Sequence, residues 1–319
     1  MKKVVLVFYL FLILGLCLIY YKSDFWREKK VLSQSLNVFK DEEIIKKQEY
    51  MNCLNEPYAS STLDDEFTAA FEELKSSGVA IYFKDINNDY VWNMNSTKIY
   101  YSASTSKLFE VIYLVEEARK GNIDLNSTLV YKPSDARASS KGMKNHSFYD
   151  EISILKLIEY VLTYSDNTAH VMLINYIGVD TLKEYFSDLN LAISESDPYV
   201  RNYNAIIAKK SLERVYDLWQ TEDDYTDLMK TSMANSNLNY LSFDDKIIYH
   251  KYGLYSVNYH DIGIYDGDNP YIIVVLTQYG NLERDIYGAK VQDISKKVYE
   301  IYSNNLKLKE EYCQSKIRK

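Results

Sequence analysis

The sequence predicts an α/β fold in which one sheet is assembled from both ends of the chain and an all-helical block is inserted between its halves. Three observations carry this. Short strand patterns, Val79–Phe83 and Tyr90–Met94, sit before a long run of helical periodicity. Three more strand patterns, Lys246–Lys251, Tyr259–Tyr265 and Tyr271–Gln278, follow it. Strands that bracket a helical segment in this way pair most simply in one mixed sheet.

The elements run in order as follows. Lys2 and Lys3 precede an unbroken apolar run, Val4 to Tyr21. That length suffices to span a bilayer. No small-residue cleavage site follows, and the aromatic Tyr20, Tyr21, Phe25 and Trp26 suit a membrane interface. The expectation is an uncleaved anchor over 4–21, a cytoplasmic tip over 1–3, and a polar stalk over 22–62 that is helical in part from Val38 to Tyr50. Leu63–Ser77 has helical spacing at Phe67, Phe71 and Leu74, with Asp64, Asp65 and Glu66 at its start, where the helix dipole favours acids. Gly78 ends it. The turn Asp85–Asp89 joins the first two strands. A helix follows from about Ser104, with Leu108, Val111, Ile112 and Val115 on one face, closed by Gly121–Asn122. Residues 132–150 read as a polar loop. Helices are expected over Ile152–Tyr164, Asn167–Ile177, Asp180–Leu189 and Ser211–Trp219, and a closing helix over Asp293–Tyr302. The folded domain is expected over 63–310, its sheet part over 63–103 and 240–310 and its helical part over 104–239.

The chain has 319 residues, 47% apolar composition and a net charge of −8, so a core can form but no basic excess exists to neutralise a nucleic-acid backbone. Its 32 tyrosines read as compositional bias. Three cysteines are too few for a disulfide framework. Cys53 and Cys313 flank the folded part and either pair in an oxidising compartment or stand as two free thiols. No Cys-x-x-Cys, His-Glu-x-x-His or Gly-x-Ser-x-Gly occurs, so metal-site and Ser-His-Asp readings lack motifs. His170 on an apolar helix and His260–Asp261 at a strand read as structural.

Chemistry concentrates in Tyr101–Phe109. Ser104 and Lys107 stand three apart, so one helical turn puts hydroxyl and amine on the same side. A serine hydroxyl needs a base to become a nucleophile, and a desolvated lysine at a helix start can be that base. Backbone N–H groups there can stabilise an oxyanion. A second copy, Ser153–Lys156, lies in an apolar helical pattern and reads as chance. Ser165-Asp166-Asn167 opens the next helix, as a proton relay and amide or as an ordinary cap. Lys251-Tyr252-Gly253 closes a strand, as a cation for a carboxylate or as a solvated strand end, with the glycine letting substrate approach the strand edge.

Together and in this order, the three segments resemble the motif triplet of the class A β-lactamases and related penicillin-recognising serine hydrolases. The resemblance covers roughly residues 63–303 and extends to Gly121-Asn122-Ile123-Asp124-Leu125 and Asn269–Thr277. It implies an antiparallel sheet with flanking helices and an inserted helical domain. It implies that Ser104 is acylated, Lys107 takes its proton, Ser165 passes that proton to the leaving nitrogen, and Asn167 holds substrate or Lys107. Lys251 and Gly253 would serve substrate binding, and the N–H groups of Ser104 and Leu254 would form an oxyanion hole. Asp166 would tie the corner together. The substrate would be a β-lactam or a D-alanyl cell-wall peptide, handled by an anchored monomer outside the cell without metal or cofactor. Two departures matter. Tyr252 stands where the family has a small hydroxyl residue. The family's Glu-x-x-Leu-Asn, which activates the deacylating water, is missing from Ile193–Asn204, where Glu195 and Asp197 are the acids. The acyl-enzyme is therefore expected to persist. The alternative is an inactive binding or sensor module with the same fold.

Overall fold

The computed structural model describes residues 22, 44–54, 56, 60–191, 202–278 and 284–317. The predicted anchor and most of the stalk lie outside these. Among the described residues no helix is long and apolar enough to cross a membrane. The chain divides into two units, one over Pro57–Asn305 and one comprising residues to Glu56 and from Leu306 onward.

In the larger unit the sheet is built as expected from both chain ends, and it is antiparallel throughout, as the family resemblance implies, rather than mixed as the strand order alone suggested. Strands β1 (Val79–Asp85), β2 (Val91–Met94), β5 (Tyr249–Tyr255), β6 (Asn258–Tyr265) and β7 (Tyr271–Gln278) lie in the order β2-β1-β7-β6-β5. The two chain ends meet where β1 pairs with β7, from Val79 opposite Thr277 to Asp85 opposite Tyr271. Every residue of β7 except Gln278 is buried, because helices cover both faces of the sheet. Side-chain alternation sorts β1 accordingly. Ala80 and Tyr82 join the core shared with the helical block. Phe83 turns the other way, 5.3 Å from Phe67 of α1 (Ser60–Phe71) and 5.0 Å from Tyr302 of α8 (Arg284–Ile317).

The helical block contains α2 (Lys107–Arg119), α3 (Ile154–Tyr164), α4 (Asn167–Ile177), α5 (Val179–Asp188), α6 (Ala205–Trp219) and α7 (Asp224–Ala234). Helix α6 packs between the sheet and α2. Helix α7 was not predicted. Its apolar positions are sparse and it opens on acids, yet Asp223 caps it by accepting from Thr226 N. Helix α6 starts earlier than its apolar spacing suggested, at a cap made by Asn204. A two-stranded ribbon, β3 (Thr128–Val130) with β4 (Glu151–Ser153), takes the first residues of the predicted 152–164 helix. Ser153 then caps α3 by accepting from Lys156 N at 3.2 Å, so this Ser-x-x-Lys is a helix start.

Strand β5 needs the correction that matters most for the site. It runs to Tyr255, so Lys251, Tyr252 and Gly253 lie inside the strand rather than at its end. Among the described residues strand β5 is the sheet edge, with β6 as its one strand neighbour.

In the smaller unit, residues 44–54 are helical and Cys53 is bonded to Cys313 in the last turns of α8. The pairing left open by the sequence is thus made.

Candidate active site

Ser104 lies on a 3₁₀ turn, Ala103–Ser106, that leads into α2, so the α-helix proper starts at Lys107 rather than near Ser104. Three-residue periodicity in that turn still brings positions 104 and 107 to one side. The neighbouring hydroxyls are consumed locally. Thr105 Oγ1 donates to Ser102 O at 2.6 Å, Ser102 Oγ to Ser106 Oγ at 3.2 Å, and Ser106 Oγ to Ala103 O at 3.1 Å. Ala103 holds a left-handed φ of 47°, a costly conformation for a residue with a Cβ. Ser104, half-buried, is presented to a cavity of about 630 Å³.

Two contacts fix this turn to the sheet. His260 Nε2–H donates to Tyr101 O at 2.8 Å, and its Nδ1 accepts from Thr277 N at 3.1 Å. Burial lowers the pKa of His260 to about 4, which keeps the ring neutral in that tautomer. From β5, Gly253 faces the turn so closely that a Cβ would lie 3.0 Å from Ser104 N, Thr105 N and Thr105 Cγ2. The serine turn itself thus approaches this strand closely enough to require glycine.

Lys107 is buried and turned toward the corner between α3 and α4. Its Nζ donates to Asn167 Oδ1 at 2.7 Å and Ser165 O at 2.8 Å, with Asp166 O further off at 3.4 Å. The two short bonds take two of its N–H groups. Desolvation lowers its pKa to about 8 against the opposing pull of Glu110 and Asp166. Ser165 sits at the left-handed cap of α3, φ 54°, with its hydroxyl buried and without a hydrogen-bond partner among the described residues.

Asp166 does what a corner brace requires. Its carboxylate accepts four backbone N–H bonds, from Thr168 and Ala169 at 2.9 Å, Gly142 at 2.8 Å and Met143 at 3.0 Å. It thereby caps α4 and pins the 132–150 loop to the same corner. Asn167 donates its amide to Ala138 O of that loop at 2.9 Å.

Ser104, Ser165, Asn167, Tyr252 and Leu254 line the one cavity. Lys251 does not. It is wholly buried, its Nζ donating to Tyr252 O at 2.9 Å and lying 4.3 Å from the Tyr252 ring centre. Burial, and then repulsion from Lys107, hold its pKa well below that of a free lysine. The Tyr252 hydroxyl reaches across the cavity wall to Tyr164 O at 2.9 Å and Asn237 Oδ1 at 2.7 Å. Sequence reasoning missed Asn237, Lys141 and Tyr255 as lining residues. Asn237 follows the unpredicted α7, and Lys141 belongs to a loop that carries no periodic signal. Of the four histidines, His170 is bonded to Glu110 at 2.6 Å and His250 to Asp261 at 2.7 Å, both pairs buried. Glu195 and Asp197 lie outside the described residues.

A model of the beta-lactamase enzyme family matches residues 62–302. The chain belongs to this family. Among solved structures, a mutant of PBP-A captured as an acyl-enzyme complex with penicillin G shares 17% identity at a TM-score of 0.66, covering 76% of this chain and 97% of that one. The TLA-3 extended-spectrum beta-lactamase shares 18% identity at 0.65, covering 76% and 98%. A class A beta-lactamase from Bacteroides cellulosilyticus shares 20% identity at 0.65, covering 76% and 99%. No curated protein matches in sequence. These likenesses show the class A β-lactamase-like fold.

Proposed function

We propose that this protein is a serine hydrolase acylated at Ser104 by a β-lactam or by the amide of a D-alanyl cell-wall peptide. The observation that carries the reading is convergence. Three segments far apart in sequence bring Ser104 and Ser165 to one cavity, with the depressed amine of Lys107 bonded between the second serine's carbonyl and Asn167.

In the proposed step, Ser104 Oγ bonds to the carbonyl carbon as Lys107 Nζ accepts its proton. The C–N bond then breaks, and Ser165 Oγ delivers a proton to the leaving nitrogen, recovering one from Lys107. The N–H groups of Ser104 and Leu254 hold the oxyanion. Persistence of the acyl group follows from the missing Glu-x-x-Leu-Asn, and the penicillin G acyl-enzyme of PBP-A is a precedent on the same fold. The Cys53–Cys313 bond supports an oxidising, extracytoplasmic compartment, with Val4–Tyr21 as the proposed anchor of a monomer.

The test is intact-mass measurement after incubation with penicillin, repeated after washing, on the wild type and Ser104→Ala. The expected result is a retained single adduct in the wild type and none in the variant. Equal labelling of both would remove Ser104 as nucleophile. Absence of labelling in both, with wall fragments still bound, would point to a non-catalytic binding module.

A further inference from the structure

The family resemblance assigns the substrate carboxylate to the lysine of the third motif, here Lys251. The geometry argues against that assignment in this chain. Lys251 is sealed from the cavity by the residue that follows it. The Tyr252 ring lies against the ammonium, and the Tyr252 hydroxyl is held at the far wall by Tyr164 and Asn237. A small hydroxyl residue would leave the ammonium reachable, whereas tyrosine interposes a ring that is itself anchored at its tip.

The cavity nevertheless contains a cation. Lys141, on the 132–150 loop, is exposed and lines the same cavity as Ser104, Ser165 and Leu254. It is the one Lys or Arg among the described lining residues, and it forms no ion pair among the described residues. Its Nζ lies 5.4 Å from the centre of the Tyr164 ring, which holds the ammonium at the cavity wall while leaving its donors open. The loop that carries it is fixed to the catalytic corner by the Asp166 bonds to Gly142 N and Met143 N, the two peptide groups that immediately follow Lys141. A chain of net charge −8 also needs a local cation to draw an acid into this cleft.

We propose that Lys141, not Lys251, receives the carboxylate of the substrate, and that Tyr252 is the residue that makes the exchange by closing Lys251 off. This deepens the acyl-enzyme reading and rests on it for the identity of the substrate. The ligand class is an amide bearing a free carboxylate that enters past the 132–150 loop rather than along the edge of β5.

The experiment compares benzylpenicillin with its methyl ester, in the full chain. Non-covalent affinity is read by titration calorimetry in a Ser104→Ala background, and adduct formation by intact mass in the wild-type background. Lys141→Ala is expected to weaken binding of the acid about fivefold and Lys141→Glu tenfold or more, with the ester changed less than twofold, as for a lost charge-assisted contact. Tyr252→Thr is expected to restore acid binding to Lys141→Ala by reopening Lys251. Both Lys141 variants change an exposed side chain, so folding is preserved and circular dichroism confirms it. Equal effects on acid and ester, no effect on either, or no measurable binding in any variant would overturn the assignment. An acid-selective loss in the Ser104→Ala background without any adduct in the wild type would instead uphold Lys141 and sink the acylation reading.

Discussion

Gly253→Ala tests whether the sheet edge positions the nucleophile. The added methyl would meet Ser104 N, Thr105 N and Thr105 Cγ2, each at 3.0 Å. Two of these are main-chain atoms that no rotamer change can remove, so the Ala103–Ser106 turn must retreat by a few tenths of an ångström. Overpacking of this kind costs about 1–3 kcal/mol of stability. The functional cost is larger. Loss of one oxyanion donor costs about 10²–10³ in rate, so partial displacement of Ser104 N and Oγ together should slow acylation by roughly 10–100-fold. The assay is a time course of penicillin adduct by intact mass, beside a thermal melt. Gly263→Ala is the control. There the methyl would meet Ile248 Cγ2 at 2.6 Å and Tyr249 O at 2.8 Å, so it should lower the melt at least as far while the folded fraction acylates at the wild-type rate. A Gly253→Ala enzyme that acylates normally, or a Gly263→Ala enzyme equally slowed, would refute the positioning argument.

Four further outcomes are expected. Acylation should rise with pH through an inflection near 8, because the base is the unprotonated Lys107 amine, and a flat profile from pH 6 to 9 would exclude that role. By the same displacement, the unfolded chain holds a proton on this lysine that the folded one has released between about pH 8 and 10.5. Lys107 therefore adds stability as pH rises through that window, and Lys107→Met should lose that increment in denaturant titrations. Asp166→Ala strands three buried N–H groups at once, those of Gly142, Met143 and Ala169, while Thr168 N keeps Ser140 Oγ at 2.9 Å; it should cost roughly 3–5 kcal/mol by urea unfolding, whereas Asp166→Asn, which keeps one acceptor, should cost visibly less. Reduction of Cys53–Cys313 should lower stability by about 2–4 kcal/mol, with the acylation rate at 25 °C unchanged because the bond lies in the smaller unit.

What the sequence made legible followed from local rules. Asn167–Ile177 was read to the residue because Asp166 is a cap and Gly178 a stop, both of which act on neighbours. The meeting of both chain ends in one sheet was legible because strand patterns bracket the helical block, and it is made where β1 pairs with β7. Strand β5 was read about four residues too early, since Lys251 is a charged residue in a buried position, which no periodicity rule anticipates. Helix α7 escaped for the opposite reason: Met229 and Met233 are buried there among Asp, Thr and Lys, too thin a stripe to stand out. At the site, the motif positions could be named in advance, but not the burial of Lys251 beneath Tyr252 or the presence of Lys141. The first depends on Tyr164 and Asn237, which hold the Tyr252 hydroxyl, and the second on where the 132–150 loop returns, which is set by Asp166 through bonds that span 23 and 24 residues.

The sulfur link between positions 53 and 313 makes nearly the entire chain a closed ring. A pull applied between the two chain termini would cross directly from Cys53 to Cys313, and the polypeptide between them would lie outside the covalent path that bears it. A protease that nicks the ring once would produce no smaller species until a thiol is added.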